Sequence, residues 1–156
     1  MTNLSVKSAK AKAVRILCDH GVHDTFTVKV KNPKNARWVA MYRGGSQFRN
    51  AGRGPIFWIS NSLLEDSEET IISILHEYGH VIAEFFHFSR KAELIKLIAD
   101  NWHGESFGRL WDEESFAEDF AQYLYSGQLA FGVNNIIDDV INAYINEMNS
   151  TGDNTD

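Results

Sequence analysis

The residues His76-Glu77-Tyr78-Gly79-His80 set two imidazoles four positions apart, with a carboxylate directly after the first. On a helix each residue turns by about 100°, so His76 and His80 fall one turn apart and about 40° around the axis. That spacing lets two neutral imidazoles reach one tetrahedral zinc at about 2.0–2.1 Å each. Glu77 lies beside them and can take a proton from a zinc-bound water. Ile71, Ile72, Ile74, Leu75, Val81, Ile82, Phe85 and Phe86 surround the motif, which predicts a buried helix. Two histidines and a carboxylate are costly there unless a metal or hydrogen bonds satisfy them. Random order produces such a motif in only roughly 1–2 of a hundred chains of this make-up. Zinc binding is therefore a stronger reading than histidines packed by chance on a core helix.

A structural zinc site closes with four protein ligands, whereas a catalytic one takes three and keeps one position open. The third must come from elsewhere in the chain. A metzincin would continue past His80 with x-x-Gly-x-x-His, but Ala83 stands at the glycine position and Phe86 at the histidine position. His87 shares a helix face with His80 but lies about 10 Å further along the axis, too far for the same ion. Downstream, residues 112–125 read as a helix in which Phe116, Phe120 and Tyr123 form an apolar stripe. Glu114 and Glu118 stand one turn apart beside it. One can coordinate zinc while the other orients a ligating histidine. Both also suit the bland role of surface acids on an acidic protein, and residue type alone does not choose.

The elements around these residues form one domain. With 156 residues, 44% of them hydrophobic, the chain can bury a sizeable core. A formal charge of −6 argues against nucleic acid or an anionic membrane as partner and leans towards a basic peptide. The lone Cys18 excludes an intramolecular disulfide and fits a small packed hydrophobe. Neither a signal-like apolar run near the N-terminus nor a spanning segment is visible, so a cytoplasmic location is expected, with non-classical export as the other route.

Residues 5–20 predict an amphipathic helix with Val6, Ala9, Ala13, Ile16 and Leu17 on one side and Gly21 closing it. Residues 26–30 alternate as a half-buried strand, and residues 37–42 make a second strand after an Asn32-Pro33-Lys34-Asn35 turn, which predicts a hairpin. Residues 44–54 read as a surface loop. Residues 55–60 form a third strand, expected in the core; the alternative is an edge that pairs with an extended peptide. Asp66 and Glu69 are spaced as a capping box, so the histidine helix should begin near residue 67. Further helices are expected over residues 90–101, 112–125 and 134–148. Residues 1–148 would form the domain, and residues 149–156 a disordered polar tail.

The pair of motifs, His76-Glu77-Tyr78-Gly79-His80 and Glu114-Ser115-Phe116-Ala117-Glu118-Asp119-Phe120, resembles the gluzincins, specifically the catalytic domain of the anthrax toxin lethal factor family. The resemblance covers roughly residues 56–148, and the N-terminal third matches only as a generic zincin helix and sheet. It implies an α+β, zincin-like fold: a small, mainly antiparallel sheet, an active-site helix and a C-terminal helical part. It implies one Zn2+ per chain on His76, His80 and Glu114, with Glu77 as general base and Glu118 as a buried partner supporting the site. The implied activity is hydrolysis of peptide bonds in a peptide or protein substrate. At Phe107 the family carries a tyrosine whose hydroxyl sits close to the zinc, and phenylalanine has no donor to offer. His103 is the residue assigned here to replace it; Arg109, Tyr123 and Tyr125 are the other available donors.

Two other functions share these residues. ImmA/IrrE-like regulatory metallopeptidases also combine His-Glu-x-x-His with a Glu-x-x-Ala helix and are cytoplasmic. A zincin that holds zinc but captures a protein partner without cleaving it would account for Phe107, though it has little chemical need for Glu77.

Overall fold

A computed structural model of the chain describes residues 2–24, 26–31, 40–43, 55–60, 67–89, 96, 102, 113–129 and 136–153. The elements are α1 (Thr2–Asp19), β1 (Thr27–Lys31), β2 (Ala40–Arg43), β3 (Ile56–Ser60), α2 (Ser67–Ser89), α3 (Glu113–Ser126) and α4 (Ile137–Asp153). The class is α+β. Among the described residues no helix is long and apolar enough to cross a membrane.

The sheet differs from the expected hairpin. Its order is β1-β3-β2, with β1 parallel to β3 and β2 antiparallel to it. The expectation of a mainly antiparallel sheet is therefore corrected: the sheet is mixed, and β1 and β2 do not touch. The reason lies in β3, whose Phe57 and Ile59 are fully buried. A strand this apolar gains most from two neighbours, while the alternating Thr27-Val28-Lys29-Val30 suits an edge. More than a dozen residues separate β1 from β3, which is enough chain for a parallel crossover. The same order excludes β3 as an edge open to an added peptide strand.

The helix α1 buries Val6, Ala9, Ala13 and Leu17. Gly21, at φ 87°, ends it. The Val22 N–H donates to the Leu17 carbonyl at 2.9 Å and the Gly21 N–H to Cys18 at 2.9 Å, a Schellman closure that needs a left-handed residue at position 21.

The helix α2 is the centre of the molecule, packing against α1, α3, α4, β2 and β3. It begins at Ser67, as the acidic first turn predicts, with Glu68 and Glu69 favourable to the helix dipole. Ile71, Ile74, Leu75, Tyr78, Val81 and Ile82 are buried, and each large apolar side chain contributes about 1.5–3 kcal/mol by leaving water. One ridge stays half-exposed: Ile72, His76, His80 and Glu84, spaced every fourth residue. The two histidines thus lie at the margin of the core, with 19% and 13% of their side-chain surface exposed.

The helix α4 runs to Asp153, so residues 149–153, expected as part of a disordered tail, continue the helix. Their polar side chains carry no breaker before Gly152, and a formed helix propagates readily. The helix expected at 90–101 lies outside the described residues, apart from helical Lys96.

Candidate metal centre

The helix α3 lies directly on α2. A Cβ added at Gly79 would stand 2.9 Å from the Ala117 Cα and 3.2 Å from its Cβ, so glycine is what lets the two backbones approach. Phe116 and Phe120 are buried on α3, and Tyr78 of α2 stacks on Phe120 at 6.3 Å. Trp102 packs edge-on against Phe116, and its Nε1–H donates to the buried Asp119 at 2.6 Å. These contacts fix the rotation of α3, and that rotation presents Glu114 and Glu118 to the histidine ridge.

The resulting geometry is specific. Glu114 spans both imidazoles, with Oε2 at 3.2 Å from His76 Nε2 and Oε1 at 2.9 Å from His80 Nε2. Glu118 Oε2 meets the other nitrogen of His76, Nδ1, at 3.1 Å. In a neutral His76 that carboxylate accepts the Nδ1 proton and leaves Nε2 free for a metal; in the metal-free ring Nε2–H can instead donate to Glu114. The two rings lie 5.0 Å apart at 66°. Glu77 is buried beside them. Among the described residues, His76, Glu77 and His80 form a group whose ligand atoms lie within 4.8 Å of one another.

The charges follow from these contacts. Burial is the largest single influence on the His76 pKa and lowers it, but the hydrogen bond to Glu114 and the nearby carboxylate charges together outweigh it. His80 opposes and the charges of Glu77 and Glu114 assist, so the net shift is upward. Glu114 is held far below the usual carboxylate range, first by its hydrogen bonds to His76 and His80. It is ionised at every physiological pH.

The donor set fits a zinc ion. Glu114 brings one oxygen to each Nε2, at 3.2 and 2.9 Å, so a carboxylate stands beside both imidazoles. Two neutral imidazoles and one carboxylate are also a ligand set that zinc takes in hydrolytic sites.

Of the residues singled out in sequence, the fold brings together His76, Glu77, His80, Glu114 and Glu118. His103, Phe107 and Arg109 lie outside the described residues, so the group assigned to replace the missing tyrosine is not located. Tyr123 is committed elsewhere, since its hydroxyl donates to Asp138 at 2.7 Å near His20. Tyr125 is seven positions beyond Glu118 in α3, about 10 Å along the axis.

Sequence reasoning missed two groups. Asp24, in the link after α1, accepts from Tyr144 Oη at 2.6 Å and also from the Tyr78 hydroxyl, and the two phenol oxygens lie 3.2 Å apart. Burial, then the neighbouring Tyr144 and Asp24 charges, push the Tyr78 phenol well up, so it stays a donor. Gln122 donates from Nε2 to Glu118 Oε1 at 3.2 Å. Its four-residue offset from Glu118 was the available signal. Nothing local marks Asp24.

Comparison with protein-family models, curated proteins and solved structures finds no match to this chain.

Proposed function

We propose that the chain is a zinc-dependent endopeptidase of the gluzincin type, with a zincin-like fold. The observation that carries this reading is the Glu114 carboxylate spanning the Nε2 atoms of His76 and His80 at 3.2 and 2.9 Å. His76, His80 and Glu114 would hold the metal. Zinc bound there supplies Lewis acidity towards the scissile carbonyl and lowers the pKa of a coordinated water to about 7.

The chain's own residues do the rest. Glu77 follows His76 on the buried side of the ridge and takes the proton of the attacking water, then returns it to the leaving amine. Glu118 holds His76 in the tautomer that offers Nε2.

The test is digestion of a diverse peptide library by the zinc-loaded protein, read by mass. Cleavage is expected from the wild type and at least about 100-fold less from Glu77→Gln, the usual scale for losing a general base. Phe107→Tyr should cleave as fast or faster. Absence of products from both the wild type and Phe107→Tyr would overturn the reading.

A further inference from the structure

The geometry points to Gln122 as a positioning residue for the metal centre, acting through Glu118 on His76. The inference rests on the zinc site proposed above and extends it by one residue that touches neither metal nor substrate. Gln122 and Glu118 are one turn apart on α3, and the amide Nε2 donates to Glu118 Oε1 at 3.2 Å. Glu118 Oε2 is then directed at His76 Nδ1, 3.1 Å away. His76 in turn sets Nε2 at 3.2 Å from Glu114. The three contacts form one line from the surface of α3 to the ligand face.

The need for such a residue follows from exposure. The Glu118 side chain is 36% exposed, so water competes for it. A carboxylate held at one oxygen only can swing about its last torsion, which is broad for an sp³–sp² bond. A second hydrogen bond on the other oxygen fixes the plane of the carboxylate. An ionised carboxylate only accepts, so both of its partners must donate. Gln122 therefore presents its NH₂, and His76 presents Nδ1–H. That tautomer leaves Nε2 free of its proton, as a metal ligand must be. Gln122 itself is half-buried in α3, with a backbone already fixed by the helix.

A thermodynamic cycle separates this role from a general contribution to α3. Zinc affinity would be measured by competition with a chromophoric chelator for wild type, Gln122→Leu, Glu118→Ala and the double variant. Gln122→Leu should weaken affinity about 3–10-fold, less than the roughly 10–100-fold typical of losing the direct partner of a ligating histidine. In the Glu118→Ala background the same substitution should have no further effect, because the path is already cut. Gln122→Lys keeps a donor at this position and should retain affinity close to wild type. Gln122→Glu sets a like charge against Glu118 and should weaken it more than leucine does. An unchanged affinity in Gln122→Leu, or the same loss in both backgrounds, would overturn the inference.

A second readout needs no metal. Crystal structures of the zinc-free wild type and of Gln122→Leu report the Glu118 carboxylate directly. Wild type should keep Glu118 Oε2 on His76 Nδ1, and Gln122→Leu should show the carboxylate turned away from it or spread over several orientations. A chain that takes up no zinc would sink the proposed function; the crystal structures would then decide the role of Gln122 alone, and an unmoved carboxylate would refute it.

Discussion

Gly79 and Ala117 touch: a Cβ on Gly79 would come within 2.9 Å of the Ala117 Cα. Each belongs to one of the two motifs, and their contact is where α2 and α3 approach. The glycine between Glu77 and His80 therefore has a spatial purpose, namely to bring the acids of α3 within reach of the histidines.

Gly79→Ala forces α3 outward, and overpacking of this kind costs about 1–3 kcal/mol. Thermal unfolding should move down by about 3–10 °C. Zinc affinity should fall with it, since Glu114 retreats from both imidazoles. An alanine variant with unchanged melting temperature and zinc affinity would show that the close approach does not position the site.

The Asp24 cluster predicts a stability effect with little direct effect on chemistry. Asp24→Ala removes the acceptor that the Tyr78 and Tyr144 hydroxyls share; one can still donate to the other, 3.2 Å away, so one donor is stranded. A buried donor stranded in this way costs about 1–3 kcal/mol, and a loss of that size is expected in urea unfolding. Adding Tyr78→Phe and Tyr144→Phe to Asp24→Ala should recover part of that loss, because no stranded hydroxyl remains. A triple variant less stable than Asp24→Ala would refute this account of the cluster.

The metal-free protein should show a specific pH dependence. The His76 pKa is raised by folding, so its contribution is present below the ordinary imidazole value of 6.5 and is lost as pH rises through the raised value. Glu114 is lowered, so its contribution is present above 4.5 and is lost in strong acid. The pair thus stabilises the zinc-free chain most in mildly acidic solution. The melting temperature of wild type minus that of Glu114→Gln should shrink between about pH 5.5 and pH 8 as the imidazole loses its proton. A difference that stays constant or grows over this interval contradicts the pairing.

Much of the site was legible before the fold. His76, Glu77 and His80 declare themselves because ligand spacing coincides with the helical repeat, inside an apolar pattern that marks a buried helix. Glu114 and Glu118 share their helical offset, yet only the likeness to a known pair of motifs separated them from surface acids. The strand order was not legible, because pairing between β1 and β3 joins segments far apart in sequence and the turn at residues 32–35 suggested a hairpin. Asp24 was hidden for the same reason: its partners lie 54 and 120 residues away. Gly79 was visible as a glycine, but its reason was not, since that reason is a backbone on another helix.

Glu118 and Glu114 are expected to behave differently. Glu118→Gln should keep zinc but weaken affinity or activity roughly 10–100-fold, as is usual when the partner of a ligating histidine is altered. Complete loss of metal in this variant would make Glu118 a ligand and shift the assignment on α3 by one turn.

The central claim is that His76, His80 and Glu114 hold one zinc ion, and metal content per chain tests it most directly. Elemental analysis of the purified protein should find about one zinc per chain. His80→Ala and Glu114→Ala should each lose most of it, while His87→Ala should keep it. A wild type without zinc, or a Glu114→Ala variant that binds zinc as tightly as wild type, would contradict the account.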